Sequence, residues 1–544
     1  GVASTDYIWQ AQSQINPLTL PILYSNGQYP AVGADAMTSP SVMINNMGRR
    51  TDQKFDGKFT LALNQDLSML LEGLKLRAQG AYDIVSWFNE NRSIQPELYQ
   101  AIGRDSHGKL ITVLRVPSSS ASYNKSTDLS RKYHFESTLS YEKLFGDSHR
   151  VSGLVYYYMS DYKRASEGTT NLNSIPIRYQ GISSRLTYGY RDIYMIDFNF
   201  GYTGSENFQP GRQFGFFPSL ALGWVPTEYK LMKEASPWLN FLKVSVWGST
   251  PVEGVNESVI GADNLEWEKA LKANIGVEGR LLNNRLSFVV DFFQDRREGI
   301  FQQRVQVPYY VGLVTMPFGN VGKMTSNGSD GNIEYSRDLS KDIRVTFRGN
   351  YTFSRNNVRN WEEANPKYPY QEISGYPYGV IRGYIFEGFF KDQQDIDTSP
   401  IQTFGTVMPG DLKYRDVNGD GIIDTDDRVP LSYSTYPLLM YGFGGEFKYK
   451  NLTLGILFKG TGKTDYFHVG QDGNGMGYVP FHGSNSGNVL TIVNSPKNRW
   501  IPKEYAINNG ISLDLAENPN ARFPRLYYGY NNNNSQLSDF WKGD

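Results

Sequence analysis

"YGYRDIYMIDFNFGYTGS", residues 188–205, decides how the rest of the chain is read. Tyr194, Ile196, Phe198, Phe200 and Tyr202 alternate with Met195, Asp197, Asn199 and Thr203. A period of two belongs to a strand with one apolar and one polar face. Tyr188 and Tyr190 precede it across Arg191-Asp192, so the stretch predicts a hairpin with a two-residue turn.

The pattern recurs along the chain. In "GLKLRAQGAYDI" (73–84), Leu74, Leu76, Ala78, Tyr82 and Ile84 share one face while Lys75, Arg77, Gln79 and Asp83 share the other. Further hairpins are predicted in 133–158, 271–293, 342–354 and 441–460, each strand about ten residues long, the length a tilted strand needs to cross a bilayer. Roughly sixteen strand candidates can be counted in this way. Short turns such as "FGDS", "RD", "LNN" and "YKN" alternate with long polar, aromatic-bearing loops near 85–130, 298–318, 356–377, 391–436 and 464–536. Short turns on one side and long loops on the other are the layout of an outer-membrane barrel. A soluble β-sandwich also alternates, but it does not concentrate Tyr and Phe near its turns, and no Pro/Gly/Ser linker divides this chain into sandwich-sized pieces.

Composition agrees. Tyr (38), Phe (30) and Gly (54) are heavily used, which favours strands and turns over helices. A net charge of −1, from 54 basic and 55 acidic side chains, supplies no field for a polyanion and argues against nucleic-acid binding. The absence of cysteine rules out disulfides, a thiol nucleophile and thiolate zinc sites. No apolar run approaches 18 residues, which excludes transmembrane helices and says nothing against a barrel.

Several strings, in this order along the chain, resemble the SusC/RagA family of TonB-dependent outer-membrane transporters of Bacteroidetes. They are "FGFFPSLALGW" (214–224), "NLEWEKALKANIGVEGRLLNNRLSFVVDFF" (264–293), "NVGKMTSNG" (320–328), "GYPYGVIRGYIFEGFFKDQQDI" (375–396) and "PGDLKYRDVNGDGIIDTDDRV" (409–429). The resemblance implies an all-β protein, a large antiparallel transmembrane barrel of about 22 strands with a plugged lumen. It implies an importer of oligosaccharides or peptides in the bacterial outer membrane, energised by TonB and capped by a SusD-like surface lipoprotein. No plug domain or TonB box precedes residue 1, and "RLYYGYNNNNSQLSDFWKGD" stops where the family continues into its last strands. Residues 1–544 are therefore expected to be a portion of such a barrel, with TonB engaged through an N-terminal region not in this sequence. The join at 247–268 is also shorter than the family usually has. The competing reading is a secreted or surface-anchored soluble β-rich protein that binds polysaccharide and carries a structural calcium loop.

That loop is "DVNGDGIIDTDD", 416–427. Asp416, Asn418, Asp420, Asp424 and Asp427 hold positions 1, 3, 5, 9 and 12, Gly421 the sharp turn, and Ile422 supplies a carbonyl, the oxygen spacing a Ca2+ ion needs. No helix is expected on either side, so any calcium would be structural. The bland reading is a solvated turn stitched by Asx-type bonds.

No enzyme signature accompanies it. His107, His134, His149, His468 and His482 are dispersed, and Gly462-Lys463-Thr464 lacks a P-loop's first glycine, which is Leu457 here. Neither catalysis nor an organic cofactor is expected. Loop aromatics are the binding candidates. Trp87, Tyr309, Tyr310 and Trp361, with Phe88, Tyr368 and Tyr370, lie among polar residues, where flat rings stack on sugars or grip peptide side chains. Packing within the loops is the plainer use for each of them.

Overall fold

The hairpin at 188–205 forms as its pattern requires. In the computed structural model, strands Ile177–Tyr190 and Tyr194–Ser205 pair antiparallel with Tyr188 opposite Ile196 and Leu186 opposite Phe198. Arg191 and Asp192 turn the chain with φ of +53° and +54°, the left-handed values a primed turn demands, and the Ile193 N–H donates to the Tyr190 carbonyl at 3.0 Å. The structure describes Ile8, Ile15 and residues 20–543, except 33–35, 165–175, 207, 209, 250–265, 307–315, 434–435, 468–490 and 527–530.

Around this hairpin lies one antiparallel sheet of 14 strands, in chain order throughout. They are Gly48–Asp66 (β1), Leu74–Gln95 (β2), Ser119–Phe145 (β3), His149–Arg164 (β4), Ile177–Tyr190 (β5), Tyr194–Ser205 (β6) and Phe214–Trp224 (β7). Leu239–Ser249 (β8), Lys269–Leu281 (β9), Leu286–Gln303 (β10), Phe318–Asp338 (β11), Ile343–Asn360 (β12), Leu439–Tyr449 (β13) and Leu452–Gly462 (β14) follow. Each strand neighbours its predecessor, which is the order a meander of hairpins produces. Strands β1 and β14 stand at the sheet's two edges. Roughly sixteen strands are expected from the sequence pattern; among the described residues the sheet has fourteen, and Leu98–Arg104 and Leu110–Val116, inside the loop expected at 85–130, join Tyr29–Pro30 in a separate three-stranded sheet.

One face of the large sheet is apolar and open to its surroundings. Ile196 (47%), Phe198 (40%), Phe443 (53%) and Leu454 (60%) are all exposed there. A soluble protein would bury such a face, and lipid requires it. The opposite face carries charge, and several cations are matched to carboxylates across strands. Arg185 meets Asp197 at 2.5 Å, Arg164 meets Asp128 at 2.6 Å and Arg348 meets Glu334 at 3.1 Å, each across neighbouring strands. His134 and Tyr156 both reach Glu136, at 3.3 and 3.0 Å. Aromatic residues gather at the turn end of the outer face, where the Tyr194 and Tyr229 hydroxyls bond to each other and Tyr188 bonds to His149 at 2.8 Å.

The loop expected at 85–130 is shorter than its polarity suggested. β2 runs on to Gln95 and β3 begins at Ser119, so these strands of 22 and 27 residues extend well past the roughly ten that cross a membrane. Polar side chains there mark a strand standing in water, not a loop.

The buried core of the protein lies off the sheet. Tyr384, Phe389, Leu412, Tyr414, Ile423, Val493, Trp500, Ala521 and Trp541 pack together, joining the connection between β12 and β13 to the segment after β14. The expected loop at 391–436 and the described part of the segment after 490 are thus partners in one folded unit on the long-loop side.

Adjacent residues on opposite faces of β6 give a direct test. Phe198→Arg places a charge in lipid and should cost about 2–4 kcal/mol if the residue lies near the midplane, whereas Asn199→Arg should cost little. Heat-modifiable migration on a gel should be lost in the first variant and kept in the second.

Candidate functional site

Trp87 lies on β2, not in a loop, and its parity places it on the polar face. It is opposite Lys54 on β1 and Asp128 on β3, and the Lys54 ammonium sits 5.1 Å from the centre of its ring. An indole half exposed beside a cation and an ion-paired carboxylate offers one stacking surface and two charges to a polar solute. Phe88, one residue on, points to the other face.

Trp361 follows β12, ten strands away in the sheet order, so no strand pairing brings it to Trp87. Its backbone N–H donates to the Ser374 hydroxyl at 3.0 Å and its ring lies 5.9 Å from that of Tyr378. The neighbouring Glu362 is buried and fastens two loops together. It accepts from Arg304 Nε, from the Val305 N–H at 3.2 Å and from the Gln306 N–H at 3.0 Å. Burial alone would raise its carboxyl, but the Gln306 N–H, the Arg304 guanidinium and the Val305 N–H outweigh it and hold the pKa below the usual range. Tyr368 and Tyr370 stack at 5.3 Å, and Tyr370 donates its hydroxyl to the Asp426 carbonyl at 2.7 Å, so this pair is used for packing. Tyr309 and Tyr310 lie outside the described residues.

The loop 416–427 is a tightly stitched turn. Asp416 accepts from the N–H groups of Gly419 (2.7 Å) and Gly421 (2.8 Å), and Asn418 accepts from that of Asp420 (2.9 Å). Asp420 accepts from the Ile422 N–H (2.9 Å) and Asp424 from the Asp426 N–H (2.7 Å). Asp427 is buried and accepts from Val417 (2.7 Å) and Asp424 (3.0 Å). Lys367 bonds Asp426 at 2.7 Å and, ahead of Gln371, holds that carboxyl below its ordinary range. Ile422 sits in a two-residue parallel pairing with Ile401. Among the described residues no three acidic or imidazole side chains converge on a point where a metal could sit. The carboxylates receive backbone N–H groups, the Asx-type stitching of such a turn.

Sequence reasoning missed what secures the folded unit. "NNNN", 531–534, reads as a solvated loop, yet Asn533 and Asn534 are buried. The Asn534 side chain accepts from the Leu412 N–H at 2.8 Å while the Asn533 amide donates to the Leu412 carbonyl at 2.9 Å, as a neighbouring strand would. Asp411, fully buried, takes Arg525 at 2.8 Å and the Asn534 amide at 2.8 Å. Gly410 takes φ +87° against Trp500, whose ring would lie 2.2 Å from any Cβ there. The one sequence signal was the unusual run of four asparagines.

Residues 3–456 match the family model described as "TonB dependent receptor-like, beta-barrel". The chain belongs to this family. It is 25% identical over 396 residues to TonB-dependent receptor P26 of Formosa agariphila, covering 61% of this chain and 39% of that protein. It is 24% identical over 306 residues to TonB-dependent receptor SusC of Bacteroides thetaiotaomicron, covering 49% of this chain and 29% of that one. The chain thus spans well under half the length of these curated relatives. The RagAB peptide importer in its open-open state superposes with a TM-score of 0.64 at 18% identity, covering 96% of this chain and 56% of that one. The fold is that of a TonB-dependent receptor barrel in the bacterial outer membrane. The apolar face of the sheet meets lipid and the polar face lines the lumen.

Asp411→Ala would take a fully buried carboxylate away from Arg525 and Asn534, a change that costs about 3–5 kcal/mol. Limited proteolysis of the variant should cut within 391–436 at protease concentrations that leave the wild type intact. Chelating divalent cations tests the calcium reading in the same assay: faster wild-type cleavage reversed by added calcium would support an occupied loop, and unchanged cleavage would remove it.

Proposed function

We propose that the chain forms the conducting wall of an outer-membrane importer for oligosaccharides or peptides. The observation that carries this reading is the polar face of the sheet. Paired charges such as Arg185–Asp197 and Arg348–Glu334 give a hydrophilic solute a polar path with no apolar barrier. Trp87 with Lys54 is a lumenal contact for cargo. Trp361 is a loop-borne contact.

In this reading a SusD-like surface lipoprotein presents cargo to the folded loop unit, and TonB, acting through an N-terminal region, supplies the force that opens the lumen. A neighbour that is a peptide importer and a relative named SusC favour import, and the aromatic contacts suit glycan and peptide equally. No residue here is assigned a catalytic role.

Equilibrium binding of a fluorescent oligopeptide pool and of an oligosaccharide pool to the receptor with its lipoprotein partner tests the proposal. Trp87→Ala should weaken binding of the preferred pool about twofold to tenfold, the roughly 0.5–1.5 kcal/mol of a stacked ring. Binding of neither pool, or binding untouched by Trp87→Ala and Trp361→Ala together, would contradict it.

A further inference from the structure

The outer wall carries a feature that import does not use. On its apolar face, over β1 to β7, lies a trough of about 630 Å³. Phe59, Leu61, Tyr82, Phe135, Met159 and Phe214 line it. The floor is low where the matched row Leu61, Gly80, Phe135, Met159, Gln180, Gly204 and Phe214 crosses Gly80, whereas the Phe214 ring covers Gly204. A Cβ on Gly80 would meet nothing within 4 Å, so the space above it is open.

The long-loop end of the trough is polar. Tyr82, Tyr133, Asp161 and Arg178 form the next row, in which Arg178 is neutralised by Asp161 at 2.7 Å and by Glu206 at 3.4 Å. One row further out, two residues or about 6.8 Å along the strands, Arg131 on β3 lies directly opposite Lys163 on β4. Like charges in that position repel. Among the described residues, no carboxylate lies within ion-pair distance of either, and Arg131 rests only over the Tyr133 ring, 5.5 Å from its centre. Lys125, Arg92 and Glu90 lie still further from the apolar belt on the same face, with Lys125 opposite Glu90.

Because this face stands in the outer membrane, its occupant is a lipid. From the unneutralised pair set just above an apolar trough, we infer that the wall holds an anionic lipid at a defined site. The lipid's phosphate bridges Arg131 and Lys163, and an acyl chain lies in the trough over Gly80. The phosphate removes the repulsion between the two cations, and the chain packs against the apolar lining of the trough. The chemistry required is a phosphorylated headgroup on the long-loop side of the bilayer with saturated chains beneath it.

Native mass spectrometry of the intact receptor in detergent tests this, with lipid A, chemically dephosphorylated lipid A and phosphatidylethanolamine as probes. The wild type should retain lipid A at least tenfold better than its dephosphorylated form. Arg131→Ala with Lys163→Ala should abolish that preference, and Gly80→Leu, which fills the trough, should lower retention of both forms. Arg296→Ala, on the exposed outer face of β10 and away from the trough, should change nothing. Each variant must keep heat-modifiable migration, which separates lost lipid from lost fold. Equal retention of the two lipid A forms by the wild type, or undiminished preference in the double variant, would overturn the proposal.

Discussion

A backbone amide in hydrocarbon has no water to bond to, so every N–H and C=O in a membrane wall needs a partner in the neighbouring segment. That constraint fixes the rest of this structure. It makes the wall a sheet, and a sheet turns successive side chains to opposite faces, one in lipid and one in water. The alternation of Ile196, Phe198 and Tyr202 with Asp197, Asn199 and Thr203 on β6 is its direct imprint. The matched register of Arg185 and Asp197 follows as well, because a polar face without lipid can carry charge only if the charges are paired or wet.

Alternation is local, and that is why the wall was legible. A strand's two faces are written in a dozen consecutive residues, and turns such as Arg191-Asp192 announce themselves by position. The folded loop unit was not legible for the opposite reason. Its core joins Tyr384 and Tyr414 to Val493, Trp500 and Trp541, residues far apart in the chain with no periodic signal between them. Loop polarity misled twice. The asparagine run at 531–534 is buried because its amides stand in for a strand beside Leu412, and the polar ends of β2 and β3 are strand above the bilayer.

The candidate site was legible in part. Trp87 was chosen as a loop aromatic, yet it stands on a strand and faces the lumen with Lys54, a neighbour that only pairing between β1 and β2 brings to it. The spacing of 416–427 fits calcium on paper. In the fold each carboxylate already serves a backbone N–H, and Asp427 is buried at the junction of the loop's two ends. Motif spacing reports where oxygens can reach; the backbone hydrogen bonds show what holds them in place.

The two-faced wall is the central claim, and the natural absence of cysteine makes it open to a clean measurement. Single cysteines placed in turn at 195 to 203 on β6, in native outer membranes, can be probed with a water-soluble maleimide and with a lipophilic one. The account predicts water-soluble labelling at 197, 199 and 203, with 196, 198 and 202 reached by the lipophilic reagent alone. Uniform labelling along the strand, or labelling of the opposite set, would contradict it.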